Sequence, residues 1–222
     1  MAHIMPKQKT MSELNFSPAS ERNKVPILEV LKNELVDITE VLEIGTGTGQ
    51  HAVFFAKALP QIMWQTSDLM ENHLDIQSRI SFAQLPNLKP PVELDVNLFP
   101  WPMKSVQAIF SANSLHIISQ ASVQAFFKGI RQSLQKGGKL CVYGPFKYQS
   151  NFTSDSNEQF DCQIKQRDPV SGIRDFEWIN QLAQAANCAL KKDYKMPANN
   201  RLVVWEKNDS TECGNAPTVD AP

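Results

Sequence analysis

Val41-Leu42-Glu43-Ile44-Gly45-Thr46-Gly47-Thr48-Gly49-Gln50-His51 is the stretch that decides how this chain is read. Four residues of strand character run into glycines at every second position. Val53, Phe54 and Ala56 to Ala58 then recur with helical period until Pro60. A strand, a glycine turn and a helix, in that order, place the glycines at the carboxyl end of a strand, where open α/β sheets bind ligands. Glycines there accept positive φ and let the backbone approach a ligand, while the next helix offers N–H groups with no intrahelical partner. A Gly-rich turn without ligand is the plain alternative, but three glycines at this spacing after a strand point to a nucleotide-like ligand.

Outward from this loop, short apolar bursts at 62–66, 92–94, 106–111 and 139–143 alternate with stretches of helical period, as expected of a parallel sheet covered on both faces. Segments 189–195 and 202–206 flank the turn signal at 196–200 with no helix between them, which predicts an antiparallel hairpin at the sheet edge. Pro26 suits a first helical turn, with Ile27, Val30, Leu31 and Leu35 following at helical spacing. A further helix is expected over 123–134, closing at Gly137-Gly138, and another after a capping Asp175. The fold class is therefore α/β and doubly wound, with an antiparallel terminal hairpin.

The 222 residues suit one domain, read as 16–207, between a flexible N-terminus over 1–15 and a disordered tail over 208–222 that is poor in large apolar residues. With 22 basic and 23 acidic residues the net charge is −1, which gives no electrostatic reason to expect a nucleic acid. No apolar run approaches a membrane span, and the N-terminus lacks the apolar core of a signal peptide. Cys141, Cys162, Cys188 and Cys213 are isolated, which matches neither a zinc site nor a disulfide framework. No metal and a cytoplasmic setting are expected.

The ligand class follows from spacing. A dinucleotide fingerprint reads G-x-G-x-x-G, whereas here the third glycine comes one residue early. The Lys-Ser/Thr pair of a phosphate-cradling loop is missing, and so is the Tyr-x-x-x-Lys pair of a nicotinamide-dependent oxidoreductase. Glu43, an acid in an otherwise apolar strand, favours a ligand with an ammonium group, which S-adenosylmethionine has. Asp68, about 20 residues past the loop, suits the two ribose hydroxyls or, alternatively, caps a helix. Asp95 suits an adenine amino group or is a solvated turn aspartate.

These residues resemble a class I S-adenosylmethionine-dependent methyltransferase, with Glu43 to Gly49 as its glycine motif. More narrowly, Ser20-Glu21-Arg22-Asn23-Lys24, Asp168-Pro169, Gly172-Ile173-Arg174-Asp175-Phe176 and Met196-Pro197-Ala198-Asn199-Asn200 resemble the group that includes methyltransferase-like protein 26. The resemblance implies a Rossmann-like, mostly parallel seven-stranded sheet. It implies Gly45, Thr46, Gly47 and Gly49 beside the cofactor, Asp68 at the ribose and Asp95 at the adenine, with Leu69 and Val96 also among the cofactor-binding residues. The product would be S-adenosylhomocysteine. Ser111-Ala112-Asn113-Ser114-Leu115-His116 carries no Asn-Pro-Pro-Tyr-like motif, which argues against amide methylation. Cys141, inside a predicted strand, reads as a small apolar thiol.

Within this frame Asn113 is expected to touch the cofactor. His116 is the candidate general base, titrating near neutrality, or else a loop histidine that packs. His51 is expected to pack. Arg22 and Asn23, ahead of Pro26, are placed outside the helix on a segment that folds over the site, where Arg22 would meet a carboxylate or remain a surface arginine. Tyr143, Phe146, Tyr148 and Phe152 offer aromatic surface near the pocket mouth or ordinary core packing, and 147–174 is read as a substrate lid. The function expected is methyl transfer to a small molecule, with no nucleic acid or membrane partner. The alternatives are a catalytically silent cofactor-binding or interaction protein of the same fold, and an oxidoreductase.

Overall fold

The structure, a computed structural model, describes residues 9–208. The expected tail from 209 onward and the first eight residues of the expected flexible N-terminus lie outside the described residues. The strands are β1 (Glu40–Ile44), β2 (Met63–Asp68), β3 (Leu88–Glu93), β4 (Val106–Ala112), β5 (Leu134–Gly144), β6 (Phe146–Lys147), β7 (Arg174–Asp175), β8 (Cys188–Met196) and β9 (Asn200–Lys207). The α-helices are α1 (Pro18–Glu34), α2 (Gln50–Ala58), α3 (His73–Ala83), α4 (Gln120–Ser133), α5 (Asp155–Arg167) and α6 (Phe176–Ala185).

One sheet runs in the order β3-β2-β1-β4-β5-β9-β8, and β9 lies antiparallel to both of its neighbours. Successive side chains on each strand point to opposite faces. Val41, Phe110, Cys141 and Val204 therefore pack on α1 and α2, while Leu42, Ile109, Leu140 and Val203 pack on α4 and α6. Two apolar layers enclose the sheet, which is the doubly wound class expected. The chain leaves β1 for β2 on one side and later returns to β4 on the other. This puts the topological switch between β1 and β4, where a crevice opens at the strands' carboxyl ends.

Three local expectations need correction, and a fourth segment gains a helix. Helix α1 starts at Pro18, capped by Ser17, whose Oγ accepts the Ser20 N–H at 3.2 Å. Pro26 sits in its interior, so Arg22 and Asn23 are helical. Ser17-Pro18 is the stronger start signal, and Pro26 removes only the bond that its N–H would give the Arg22 carbonyl. Helix α4 passes directly into β5 at Leu134, and Gly137 and Gly138 stand inside β5 where its register against β4 shifts. Asp175 takes the N-cap position of α6, but its carboxylate makes no cap bond and pairs instead with Lys147 at 3.3 Å. The 147–174 segment, read as a polar lid, contains helix α5, capped by Ser154.

Candidate functional site

Gly45, Gly47 and Gly49 have φ of +74°, +58° and +77°, the left-handed region that a side chain disfavours. The Gly45 and Thr46 N–H groups both donate to the Ser67 carbonyl, and Gly49 N–H closes a turn onto Thr46. The loop is thereby fastened to the end of β2. A Cβ on Gly45 would stand 2.7 Å from Ser114 Oγ, whereas one on Gly47 would project into open space.

Asp68 completes the loop. Its Oδ2 accepts the Gly47 N–H at 2.6 Å, and its Oδ1 accepts the Leu69 N–H and the Asn72 amide, each at 2.8 Å. A carboxylate has about four acceptor positions, so about one, on Oδ2, is left for a ligand. The cap of α3 is Asn72, which sets the helix-cap reading of Asp68 aside. Asp95 Oδ1 accepts the Asn97 N–H at 2.9 Å in a tight turn, so the turn role is present while the residue also faces the crevice. Asn113 stands in the left-handed region at φ +59°, a conformation asparagine tolerates, and among the described residues its side-chain amide makes no hydrogen bond.

These residues line one cavity of about 730 Å³ at the switch between β1 and β4. Of the expected residues, Gly45, Thr46, Gly47, Asp68, Leu69, Asp95, Val96, Asn113 and His116 are on its wall; Arg22, Asn23, Glu43 and Gly49 are not. Arg22 is an exposed residue of α1. Asn23 is buried and shares a 2.6 Å hydrogen bond with His51 Nε2. Glu43 is buried beside the loop and accepts the Trp64 indole N–H at 2.9 Å. Burial pushes its carboxyl up to about 8, and the Trp64 and Thr46 hydrogen bonds offset only part of this, so it is uncharged at pH 7.

His116 also departs from expectation. Burial, helped by the Arg174 charge, pushes its imidazole down to about 4, so it is neutral at pH 7. Its ring meets Phe160 edge-on at 5.4 Å. His51 packs as expected, stacked on Phe55 at 5.2 Å, and burial holds it down to about 4 as well. Cys141 is a buried thiol pushed up to about 12, consistent with an inert core role. Tyr143 and Phe146 belong to the core, and Tyr148 stacks on Phe176 rather than facing the cavity.

Among the parts of the wall that were not anticipated, two come from helices α1 and α5. Ser17, Ala19 and Ser20 reach it from the first turn of α1, and Phe160, Ile164 and Arg167 reach it from one face of α5. The spacing i, i+4, i+7 and the Ser154 cap were the available signals for α5, hidden by its polar composition. The α1 turn is tied down by Ser17 N–H donating to Gln50 Oε1 at 2.6 Å. Arg79 joins the Thr48 and Asn15 carbonyls.

Several solved structures share this fold over most of the chain. An O-methyltransferase family protein from Burkholderia thailandensis is 14% identical with a TM-score of 0.75, covering 86% of this chain and 58% of that one. PigF, solved with SAH, is 15% identical with a TM-score of 0.73, covering 84% and 56%. NcsB1, an O-methyltransferase from neocarzinostatin biosynthesis solved with S-adenosylmethionine and 2-hydroxy-5-methyl naphthoic acid, is 16% identical with a TM-score of 0.71, covering 84% and 54%. At these identities the likeness is one of fold, and the chain spans a little over half the length of each. No described helix is long and apolar enough to cross a membrane. Residues 14–207 match the family model described as "Protein of unknown function (DUF938)", nearly the whole described chain, and the chain belongs to that family.

Proposed function

We propose that this protein is an S-adenosylmethionine-dependent methyltransferase acting on a small-molecule acceptor and releasing S-adenosylhomocysteine. One observation carries the reading: a single cavity at the β1/β4 switch gathers positive-φ glycines, a carboxylate with an acceptor position to spare and an unpartnered asparagine amide. Its volume lies within the roughly 300–1,000 Å³ of small-molecule sites. The open space above Gly47 is room for a ligand that a side chain would fill. The ligands named for PigF and NcsB1 support the same cofactor.

In this reading Gly45 to Gly47 and Asp68 hold the ribose and its flank, and Leu69, Asp95 and Val96 hold the adenine. Asn113 and the α1 turn close the remaining side. Asn23, Glu43 and Gly49 act from behind by supporting the loop and its helices, while Arg22 stands exposed on α1. S-adenosylmethionine, when bound, supplies an activated methyl group, so the chain's own tasks are alignment, exclusion of water and, for a protic acceptor, proton removal. His116 is the residue for that proton, with its neutral imidazole free to accept at pH 7. With so weak a base, the acceptor's proton must be acidified as its bond to the methyl carbon forms. The catalytic domain is taken as 16–207, in a cytoplasmic setting, and the motif likeness to the methyltransferase-like protein 26 group belongs to this proposal. A cofactor-binding protein without turnover is the second reading, favoured by the low basicity of His116.

Calorimetry and thermal denaturation with S-adenosylhomocysteine and NADH test the first step. Stabilisation of about 2.7 kcal/mol is expected at a hundredfold excess over Kd of S-adenosylhomocysteine, with none from NADH. The opposite pattern would remove the methyltransferase reading. Methyl transfer to a panel of phenols and thiols, lost in His116→Ala with S-adenosylhomocysteine affinity kept, separates an enzyme from a silent binder.

A further inference from the structure

We infer that the acceptor is a small carboxylate with an apolar body, its anionic end received by Arg167; this rests on the methyl-transfer reading. Helix α5 turns Phe160, Ile164 and Arg167 towards the cavity. The Phe160 ring stands against His116 at 5.4 Å, and Ile164 is buried, so the wall beside the candidate base is apolar. Arg167 ends this stripe as a cation.

What singles Arg167 out is that its charge has no partner. Four cations lie in 147–174. Lys147 pairs with Asp175, and Lys165 pairs with Asp161 at 2.5 Å. Arg174 is spent on the Leu115, Ile118 and Val170 carbonyls. Arg167, among the described residues, makes no hydrogen bond, ion pair or ring contact. The acids beside it are engaged: Asp161 with Lys165 and the Ile173 N–H, Asp168 with the Val170 N–H. Asp68 and Asp95 lie on the opposite side of the sheet's switch, at the ends of β2 and β3.

An unpaired guanidinium at the end of an apolar wall discriminates by charge where the wall itself discriminates little. Its planar fork matches a carboxylate with two parallel N–H donors. Phe160 and Arg167 are seven residues apart, about 10 Å along the helix. A hydroxyl at His116 and a carboxylate at Arg167 are thus bridged by one aromatic ring with a short acid arm.

The test uses 4-hydroxycinnamate, the shorter 4-hydroxybenzoate and the carboxamide of each, titrated calorimetrically into protein saturated with S-adenosylhomocysteine. 4-Hydroxycinnamate should bind at least tenfold more tightly than its carboxamide, and 0.5 M salt should shrink the difference. Arg167→Gln should abolish the preference and Arg167→Lys should keep part of it, both with wild-type affinity for S-adenosylhomocysteine. Equal binding of acid and carboxamide, a preference that survives Arg167→Gln, or no binding of any probe at millimolar concentration would overturn the inference. If Arg167→Gln weakens S-adenosylhomocysteine instead, Arg167 serves the cofactor and only this inference falls. If the wild-type protein binds no S-adenosylhomocysteine, the methyl-transfer reading itself has failed.

Discussion

Gly47 and Asp68 divide one task between backbone and side chain. The 2.6 Å bond from Gly47 N–H to Asp68 ties the loop to β2, and the missing Cβ keeps the space above it open. Gly47→Ala should fold with a loss of about 1 kcal/mol from its positive φ, because the added methyl meets no protein atom. It should nonetheless weaken S-adenosylhomocysteine tenfold or more, which paired denaturation and calorimetry would read. Asp68→Ala removes the acceptor for Gly47, Leu69 and Asn72 together. An affinity loss of about 1–3 kcal/mol is expected from the polar groups left unpaired, with the fold kept. Normal binding by this variant would show that the carboxylate only anchors the loop.

At the scale of elements, the first turn of α1 takes the place the sequence reading gave to Arg22 and Asn23. Closure by the N-terminal segment survives as an idea, but the residues at the cavity are Ser17, Ala19 and Ser20. Asn23 instead pins the helix to α2 through His51. Removing residues through Asn23 would therefore take away the cap, the cavity wall and a buried hydrogen bond, not a dispensable flap. Ser17→Ala should cost about 1 kcal/mol as a lost N-cap. Amide exchange over residues 18–21 should slow when S-adenosylhomocysteine is added to the wild-type protein, and an unchanged rate would place that turn away from the ligand.

For the whole molecule, three buried groups set an optimum of stability with pH. Glu43, raised from 4.5 to about 8, binds a proton in the folded state that the unfolded chain has released, so its contribution falls as pH rises between these values. His51 and His116, lowered from 6.5 to about 4, are neutral when folded and charged when unfolded, so their contribution is lost as pH falls below 6.5. Each proton changes stability by about 1.4 kcal/mol per pH unit. The net slope from these three groups is upward below about 6.5 and downward from there to about 8. Urea unfolding across pH 5 to 8.5 should show this maximum, and Glu43→Gln should flatten the alkaline limb and steepen the acid one.

The sequence by itself determined the sheet's class and the identity of the glycine loop. Strand apolarity, helical period and glycine spacing are local properties that tertiary contacts reinforce here: Val41 and Leu42 face opposite layers as their alternation requires. Asp68 and Asp95 were legible for the same reason, since the carboxyl end of a strand fixes where each lies. Only the tertiary structure decided the rest. Pro26 looked like a helix start because its cost is local; Ser17-Pro18 is an equally local start signal, but the Asn23–His51 bond that holds the helix beyond it joins distant parts of the chain. His116 was expected to titrate near neutrality because its residue type suggests it, and burial against Phe160 and Arg174 is invisible in a linear chain. Helix α5 has few apolar residues and gains its place from the cavity it covers, so Arg167 could be seen as an unpaired cation only after every neighbouring charge had found its partner.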